Sequence, residues 1–438
     1  MSVKKVLMIS YAWPPMEGVG TMRAFKFAKF LPEYGWSPLV LTVKAGKPLA
    51  GDAESEYALN GTKVFRTDYK DVIGSLKRIV SRITTADDSE LKTYLRPKKP
   101  AKRVSFVREM VTMPDDQIGW YSLALEEGKR IIEQERVDVI FSTSPPETAH
   151  LVARKLKTLS GMPWVADLRD LWAEDHFRPR SFIKKAALRI MEKSILKDAD
   201  SVITVSEPWA ERLKKSLRDN RGVVSVIENG FDEEDFGRIG FSKNAKFTIS
   251  YTGKLHKDHQ PLEPFFKAVA DLVAHGKIDR RKIELYLCVF GYDKPDVEKL
   301  SQSFGLHDIV KESGMVSYER SLEIQRSSDA LLFIQWRGEG GEGWYSAKLY
   351  DYIGSGRPIL AMAAKSGIVA DLIRRTKSGV IAENETELKD AILQLYEEYI
   401  LRGTTECRSN PEEIIRLTRR NRAAQLACIL ESLCARRQ

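Results

Sequence analysis

Two glycines near the N-terminus indicate a first site for a charged ligand. Gly18 and Gly20 follow the short apolar run Val6–Ser10 and stand before a helical pattern that extends over Thr21–Tyr34. Glycine lets a backbone come close to a bound group, and the first turn of a helix presents free N–H donors to an anion. The glycine spacing departs from the six-residue dinucleotide fingerprint, so we do not predict an NAD site. Plain turn formation is the alternative.

A loop in the second half of the chain combines glycine with basic residues. Lys254 and Lys257 follow Gly253 directly after an apolar run. Their ammonium groups could pair with phosphate. His256 and His259 form an HxxH pair in the same loop, but no third metal ligand is evident, so the pattern favours a metal site only weakly. We predict a phosphate site here and expect no metal.

A third loop, residues 339–346, is rich in glycine and leads into a helix that carries Lys348 and Asp351. These two residues are three positions apart, so they share one helix face. A cation and a carboxylate at this place fit a diphosphate and a vicinal diol, and the free N–H groups of the first turn suit an anion or sugar hydroxyls. An ordinary ion pair on a helix surface is the alternative.

Two carboxylates flank a guanidinium in the fourth loop. Asp167, Arg169 and Asp170 come directly after the apolar run Pro163–Ala166. In open α/β sheets, ligands lie at the carboxyl ends of the strands, where these side chains would stand. The group could hold a hydroxylated substrate or supply a base. A purely structural Arg–Asp network fits the same residues equally well.

Short apolar runs that alternate with amphipathic helices must position these loops. This alternation predicts βαβ units with parallel sheets, and continuous apolar strands are typical of sheets covered on both faces. The pattern restarts near residue 235, beside the charged segment Asp232–Ala245, which we interpret as a linker. We therefore predict two doubly wound, Rossmann-like α/β domains, residues 1–235 and 236–410, and a C-terminal helix in residues 411–438. The predicted strands are Val6–Ser10, Pro38–Val43, Val137–Ser142, Pro163–Ala166, Ser201–Val205, Phe247–Thr252, Ile283–Val289, Ala330–Trp336, Pro358–Met362 and Gly379–Ala382.

The composition excludes several classes of protein. Of the 438 residues, 43% are hydrophobic and 30% are charged, as is usual for a globular protein in water. No apolar run approaches the length of a membrane-spanning helix, and the four cysteines form no CxxC pair, which argues against a zinc site. No secretory signal is recognisable, so we expect a cytoplasmic protein. The formal net charge of +9 favours anionic partners: nucleic acid, phosphorylated metabolites or an anionic membrane face.

Two segments concentrate positive charge. Residues 76–108 contain ten basic and three acidic side chains and interrupt the alternation of strands and helices. This basic insertion could be a solvated surface segment, or a patch for anionic lipid or a phosphorylated acceptor. The predicted helix Phe182–Lys197 is also basic and amphipathic. For this helix we favour packing on the sheet over lying in a membrane surface.

Six motifs in a fixed order resemble one enzyme family. They are Ser10–Pro15 with Gly18–Gly20, Asp167–Trp172, Val205–Glu207, Glu228–Asp232, Tyr251–Leu255, and Lys348–Tyr352 with Gly354, Gly356, Arg357 and Pro358. The chain is similar to the GT-B glycosyltransferases of the large retaining family 4, in the branch that assembles polysaccharides and cell-surface glycans. The resemblance covers nearly the whole chain except the basic insertion and about the last thirty residues. It implies a GT-B fold, two Rossmann-like domains that face a central cleft.

The resemblance also implies substrates. A nucleotide-diphosphate sugar, with a UDP-sugar favoured, would be held mainly by the C-terminal domain, and a glycan or lipid-linked acceptor mainly by the N-terminal domain. Lys254 would neutralise the leaving diphosphate, Gly20 would donate a backbone N–H to it, Asp351 would hold the ribose diol, and Met315 and Val316 would meet the base. No cofactor or catalytic metal is implied.

The remaining candidate residues follow from the same resemblance and from the loops above. We assign Asp167 and Asp170 with Lys254 to catalysis, and Arg169 and Glu207 to the acceptor side. Further donor-side candidates are Gly18, Gly253, Lys257, Glu342, Gly343, Trp344, Tyr345, Ser346, Lys348 and Leu349.

Two positions depart from the family pattern. The family has paired glutamates separated by seven residues, and counting back from Asp351 reaches Gly343, with Glu342 one place away. Glu342 could therefore supply the carboxylate that holds the sugar, or that carboxylate could be absent. The family's second phosphate-binding lysine is also ambiguous, because Lys257 is present without the usual following sequence.

Two other functions remain in competition with sugar transfer. A GT-B sugar-nucleotide epimerase or hydrolase would share the donor site without needing an acceptor surface. A nonenzymatic protein that binds polyanions such as nucleic acid is disfavoured, because no recognition helix or RNA-binding signature is present. We thus expect a cytoplasmic transferase with no nucleic-acid partner, and peripheral association with the inner face of a membrane is an open alternative.

Overall fold

The computed structural model describes residues 3–16, 18–44, 59, 62–72, 74, 109–174, 180–216, 223–240, 242–291, 294–338, 343 and 346–436. The chain divides into two units. The first consists of Met1–Glu228 with Ala423–Gln438, and the second consists of Asn229–Arg422. The basic insertion, Glu342, Trp344 and Tyr345 lie outside the described residues.

A parallel sheet forms the centre of the first unit. In the described part of this unit it has seven strands in the order β3-β2-β1-β4-β5-β6-β7, and every neighbouring pair is parallel. The strands are β1 (Lys4–Ile9), β2 (Trp36–Val43), β3 (Lys63–Thr67), β4 (Val139–Ser144), β5 (Trp164–Leu168), β6 (Ser201–Thr204) and β7 (Val223–Val226).

Helices cover this sheet because its central strands are apolar on both faces. All side chains of β4, β5 and β6 are buried, which leaves no solvated face. The helices in the described part of the unit are α1 (Val19–Phe30), α2 (Tyr121–Glu135), α3 (Thr148–Ser160), α4 (Phe182–Asp198) and α5 (Glu207–Ser216). The C-terminal helix packs Ala423, Leu426 and Leu430 into the same core as Phe27 of α1 and Val6 of β1.

The second unit repeats the plan with its own core. Among its described residues, six parallel strands have the order β10-β9-β8-β11-β12-β13. They are β8 (Phe247–Lys254), β9 (Ile283–Phe290), β10 (Val310–Glu312), β11 (Ala330–Ile334), β12 (Ile359–Met362) and β13 (Gly379–Ala382). The described helices that follow in the chain are α6 (Glu233–Arg238), α7 (Glu263–Ala274), α8 (Lys294–Ser303), α9 (Tyr318–Ser327), α10 (Ala347–Ser355), α11 (Ile368–Thr376), α12 (Glu385–Arg402), α13 (Pro411–Arg416) and α14 (Arg419–Ala435). The last of them, α14, is the C-terminal helix that returns to the first unit.

Each sheet has one point at which the strand order reverses. It lies between β1 and β4 in the first unit and between β8 and β11 in the second. The loops that leave neighbouring strands there diverge to opposite faces, which opens a crevice at the carboxyl ends where ligands bind in this class of sheet. Three of the four loops singled out from the sequence leave β1, β8 and β11, at these two points, and the fourth leaves β5, next to β4.

The predicted fold class, two Rossmann-like α/β domains, is confirmed. All ten predicted strands are present, nine of them with a shift at one or both ends, but β3, β7 and β10 were missed; they are short strands at the edges of the sheets. The interpretation of Asp232–Ala245 as a linker was wrong, because it contains α6, whose Phe236 is buried in a core of the second unit. The chain also passes between units at Glu228–Asn229 rather than at residue 235, and Ala423–Gln438 belongs with the first unit.

No helix within the described ranges is long and apolar enough to cross a membrane.

Candidate functional site

Two lysines meet at the end of β8, one of the two strands at the reversal point of the second sheet. Lys254 is the last residue of β8, and Lys348 lies in the first turn of α10. The Lys348 ammonium donates hydrogen bonds to the Lys254 carbonyl, at 2.9 Å, and to the Tyr251 hydroxyl. It also lies 4.1 Å from the centre of the Tyr251 ring. The Tyr251 hydroxyl in turn donates to the Lys254 carbonyl at 2.8 Å, so two polar groups and an aromatic ring hold Lys348 in place.

Gly253 makes this arrangement sterically feasible. Its φ of 114° lies in a region that side chains rarely adopt, and a Cβ atom there would lie 3.3 Å from the Lys348 ammonium. A larger residue would therefore be strained and would also crowd the lysine. The sequence predicted that Gly253 lets a bound group approach closely. The backbone does require glycine at this position, and the group that lies against it is the side chain of Lys348.

The two lysines differ in their electrostatics. Burial lowers the pKa of Lys348 to about 7, because its ammonium loses water and gains no carboxylate partner in the described part of the chain. Lys254 is exposed and forms no ion pair with any described residue. An anion that approaches the end of β8 would thus meet one charged amine and a second amine that can take up a proton.

Asp351 lies one turn further along α10 and is half-buried. Its carboxylate accepts a hydrogen bond from the Tyr318 hydroxyl of α9 at 3.3 Å. Burial and the neighbouring Asp351 charge raise the pKa of Tyr318 well above its usual value, so this hydroxyl stays a donor. The next residue, Tyr352, accepts a hydrogen bond from the backbone N–H of Thr252 at 2.9 Å, which fixes α10 against β8.

The histidines of the HxxH pair pack against an aromatic ring. The His259 ring stacks on Trp336 at 4.0 Å, and the His256 ring meets the same indole edge-on at 5.0 Å. His259 Nδ1 also lies 2.9 Å from the Arg337 carbonyl. Burial and the nearby charge of Lys254 lower the pKa of His256. Within the described ranges, no group of three or more His, Cys, Asp or Glu side chains is placed to hold a metal ion.

The other predicted donor-side residues occupy different environments. Lys257 forms an exposed ion pair with Asp296 at 2.8 Å, so its charge is already compensated. The side chain of Leu349 is fully buried in the core, which leaves only its backbone for a ligand. Met315 is 62% exposed and, with Val316, follows β10. Ser346 precedes α10 as its N-terminal flanking residue, and Gly343 is buried in the loop before it.

In the first unit, Asp167 is part of a buried ion pair. Its carboxylate accepts hydrogen bonds from Arg23 Nε and Nη2, at 3.0 and 2.9 Å, and from the Thr143 hydroxyl at 2.7 Å. Arg23 is also buried and donates to the carbonyls of Ile227 and Glu228. A carboxylate with three donors and no solvent access is a poor base, so the geometry favours the structural alternative for Asp167 over the catalytic one.

Arg169 follows β5, and its side chain reaches the ends of β4 and α1 at the reversal point of the first sheet. Its guanidinium donates to the Ser144 and Pro145 carbonyls at 2.9 and 2.7 Å, and Nη1 makes no hydrogen bond to a described residue. A Cβ on Gly20 would lie 2.3 Å from that Nη1, so only glycine admits the guanidinium beside the first turn of α1. Loss of water lowers the pKa of Arg169, while Asp167 and Asp170 act in the opposite direction. A guanidinium beside a helix N-terminus is suited to an anion.

Asp170 and Glu207 remain candidates on the same edge of the sheet. Asp170 is half-buried beside Arg169 after β5, and Glu207 is the exposed first residue of α5 after β6. The structure thus brings Asp170 and Arg169 together, whereas Glu207 follows the next strand in the sheet and has no described contact with them.

A buried polar group at the start of α3 was not predicted from the sequence. Asp115 accepts hydrogen bonds from the backbone N–H and hydroxyl of Thr148 at 2.7 and 2.8 Å. Glu147 accepts one from Arg180 at 3.1 Å, and its other carboxylate oxygen has no hydrogen-bond partner among the described residues. Burial, with the nearby Asp115 charge, raises the pKa of Glu147 to about 7. Tyr251 and Tyr318 were missed as well, because nothing in their spacing distinguishes a site tyrosine from a core tyrosine.

A family model matches about a third of the chain. Residues 80–235 match the model of Glycosyltransferase Family 4, which supports the family expected from the motifs. A comparison with curated proteins gives no significant match.

Solved structures match nearly the whole chain at low identity. Sucrose-phosphate synthase from Thermosynechococcus elongatus is 15% identical with a TM-score of 0.64, and the match covers 99% of both chains. HepE from Anabaena, solved in complex with UDP-glucose, is 13% identical with a TM-score of 0.62 and covers 98% of this chain and 99% of its own. A Listeria monocytogenes protein assigned as a UDP-N-acetylglucosamine 2-epimerase is 12% identical with a TM-score of 0.56, covering 98% and 96%. These likenesses establish the GT-B fold.

Proposed function

We propose that this chain is a family 4 glycosyltransferase that moves a sugar from a nucleotide-diphosphate sugar to a hydroxyl group. The donor is a UDP-sugar, the acceptor is a glycan or a lipid-linked glycan, and the anomeric configuration is retained. The enzyme works in the cytoplasm, in polysaccharide or cell-envelope assembly, without a catalytic metal. The observation that carries the proposal is the pair Lys254 and Lys348 at the end of β8, in a chain whose residues 80–235 match the family model.

The lysine pair supplies what the reaction requires on the donor side. When the bond between the sugar and the diphosphate breaks, negative charge develops on the diphosphate oxygens. Cations fixed beside those oxygens stabilise the charge where it forms, and they matter more in the transition state than in the ground state. Lys254 offers an exposed ammonium, and Lys348 is held next to it by Tyr251 and the Lys254 carbonyl.

The ends of neighbouring strands give the nucleotide its other partners. Asp351 is half-buried and oriented by Tyr318, and a carboxylate there can accept hydrogen bonds from a ribose diol. The backbone at Met315 and Val316, after β10, is assigned to the base, with Gly343 and Ser346 near the sugar or diphosphate. Binding of UDP-glucose by the structurally similar HepE supports the choice of a uridine nucleotide.

The acceptor side is assigned to the first unit. Arg169 can meet an anionic group, and Asp170 beside it can accept a hydrogen bond from a hydroxyl, while Gly20 at the N-terminus of α1 keeps its proposed role toward the donor diphosphate. We withdraw the catalytic assignment from Asp167, whose carboxylate already has three donors. Asp170 is therefore the carboxylate of this loop that we retain as a candidate for the acceptor hydroxyl.

A sugar-nucleotide epimerase or hydrolase is the second candidate, supported by the fold shared with the Listeria protein. The two functions differ in their products. Incubation with a UDP-sugar alone would give an epimerised nucleotide sugar or free sugar if the second candidate is correct. Transfer requires an acceptor and gives a new glycoside, whose anomeric proton signal in NMR reports retention or inversion.

A panel of nucleotide sugars in a thermal-shift assay identifies the donor. A ligand that binds only the folded state stabilises it by about 2.7 kcal/mol at 100 times its dissociation constant, which raises the melting temperature measurably. We expect UDP-sugars to give the largest shifts. Absence of a shift with every nucleotide sugar at millimolar concentration would contradict the proposed function.

Turnover of the Lys254→Ala variant tests the leaving-group role. We expect a loss of about a hundredfold or more, the order found when one charge-stabilising group is removed, and partial retention in Lys254→Arg. Lys257→Ala is the matched control, and its effect should be small because Asp296 already holds that ammonium. Near-wild-type turnover in Lys254→Ala would show that a different cation neutralises the diphosphate.

A further inference from the structure

Helix α4 exposes large apolar side chains to solvent. Phe182 is 80% exposed, Ile183 is 53% exposed and Ile190 is 71% exposed. They lie at the first, second and ninth positions of the helix, so they share a broad outward surface rather than the stripe that packs on the sheet. Exposing such side chains to water is unfavourable, and a group of exposed apolar side chains indicates a surface that binds a partner or a membrane.

The same surface carries only positive charge. Lys185, Arg189 and Lys193 are exposed and form no ion pair with a described residue. Glu192 is the one acidic residue between Phe182 and Lys197, and it is buried, where it accepts a hydrogen bond from the Trp172 backbone at 2.7 Å. Lys184 also turns inward and donates to the Thr112 carbonyl at 2.9 Å.

A pocket beside the helix extends the positive surface. Its volume is about 520 Å³, and Arg189 and Lys193 of α4 line it together with Arg212 and Lys215 of α5. Two carboxylates also line it, but Glu174 is paired with Arg212 at 2.9 Å and Glu192 is buried. Lys215 forms no ion pair with a described residue. Arg189 and Lys193 thus belong both to the apolar surface and to a basic pocket large enough for a phosphate headgroup.

We propose that the exposed surface of α4 and its adjoining pocket, here called the α4 surface, bind the headgroup region of an anionic lipid bilayer. Phe182, Ile183 and Ile190 enter the boundary between headgroups and acyl chains, and the pocket holds the phosphate of a lipid. Cations around exposed apolar side chains on a helix that lies flat are complementary to anionic lipid, since the bilayer offers negative charge above hydrocarbon. An acidic protein surface would compensate the positive charges, but it would not offer an apolar region for the exposed isoleucine and phenylalanine side chains. This interaction is independent of the sugar-transfer reaction.

Vesicle co-sedimentation of the full chain tests the proposal without any nucleotide sugar. One set of vesicles is phosphatidylcholine alone, and the other is an equimolar mixture with phosphatidylglycerol. We expect binding to the anionic vesicles, weaker binding at high salt, and little binding to phosphatidylcholine. Arg189→Gln/Lys193→Gln should reduce the affinity roughly twentyfold, because each cation near an anionic leaflet contributes about fivefold. Phe182→Ser/Ile190→Ser should reduce it about tenfold or more.

Matched controls separate this surface from general charge and hydrophobicity. Lys277→Gln/Lys282→Gln removes two exposed cations of the second unit, and Leu401→Ser removes a leucine that is 83% exposed on α12. Neither should change vesicle binding. Circular dichroism checks that each variant is folded, and all substituted side chains are exposed, so the fold should persist. Absence of binding to anionic vesicles, equal binding by wild type and both α4 variants, or an equal loss in the controls would overturn the proposal.

Discussion

At the scale of single residues, Lys348 connects the fold of the second unit to the chemistry of its candidate site. The lysine lies over an aromatic ring and donates to a carbonyl and a hydroxyl, both of which are dipoles rather than charges. These partners orient the amine without compensating its charge, so burial dominates and the pKa falls to about 7. A diphosphate placed at the end of β8 would supply the missing charge and raise that pKa.

This coupling predicts that donor binding depends on pH. Below pH 7 the unliganded Lys348 is already charged, so the affinity is highest there. Above pH 7 the amine must take up a proton when the diphosphate binds, and the affinity should fall by up to about tenfold per pH unit. Calorimetric titration of a UDP-sugar between pH 6 and pH 9 measures this slope, since the diphosphate diester itself does not titrate in that range.

Lys348→Met is the control for this slope. It keeps the length of the side chain without the charge, so it should bind the donor more weakly at pH 6 and converge with the wild type toward pH 9. A variant that retains the wild-type pH dependence would show that Lys348 is not the group that titrates. Calorimetry in two buffers of different ionisation enthalpy gives the number of protons taken up, which provides an independent check.

At the scale of elements, the first turn of α3 is anchored by two carboxylates that are not equivalent. Asp115 accepts three hydrogen bonds, from Thr148 twice and from the backbone of Gln117. Glu147 has Arg180 on one oxygen and, in the described part of the chain, no hydrogen-bond partner on the other. Ionisation of a buried carboxyl with incomplete solvation is unfavourable, so Glu147 is the member of the pair that holds a proton near neutral pH.

The raised pKa of Glu147 makes the stability of the first unit depend on pH. Its pKa is about 7 in the folded state and has its ordinary value of 4.5 in the unfolded state. Between these values the folded state binds more protons, so the free energy of unfolding should fall as the pH rises from 4.5 to 7, by a few kcal/mol in total. Glu147→Gln cannot titrate and should lose this part of the pH dependence in urea unfolding at pH 5, 6, 7 and 8.

The control for this prediction is a carboxylate on the surface. Glu211→Gln removes an exposed partner of Lys214, and its difference from the wild type should not change with pH over this interval. If the stability difference between Glu147→Gln and the wild type is also constant from pH 5 to pH 8, Glu147 is ionised in the folded protein throughout.

At the scale of the whole molecule, the two units have separate cores and separate spectroscopic reporters. Six of the eight tryptophans lie within Met1–Glu228, and Trp336 and Trp344 lie in the second unit. Tryptophan fluorescence therefore reports mainly on the first unit, whereas circular dichroism reports on both. Proteins with two domains need not unfold in one step.

This division predicts how a donor affects unfolding. If a UDP-sugar is held mainly by the second unit, it should raise the midpoint of the circular dichroism transition more than that of the fluorescence transition. Parallel thermal scans with and without the donor make the comparison. Equal shifts in both signals would mean that the units unfold together or that both hold the donor equally.

The sequence alone determined the architecture and identified the candidate ligand-binding loops. Apolar runs such as Phe247–Thr252 and Ala330–Trp336 identify buried parallel strands because both faces of such a sheet are covered. Edge strands such as β3 and β10 were missed, because a half-exposed strand of three to five residues carries little apolar signal. These features are local, so they can be derived from neighbouring residues.

Only the tertiary structure decided what each charged side chain does. Asp167 and Asp170 look alike in sequence, but Arg23, which is 144 positions from Asp167, makes the first a buried ion pair. Lys257 and Lys348 were both candidate cations, and contacts with Asp296 and Tyr251 separate them. Electrostatic character depends on which groups lie within a few ångströms and on how much water remains, and both are set by contacts between residues distant in the chain.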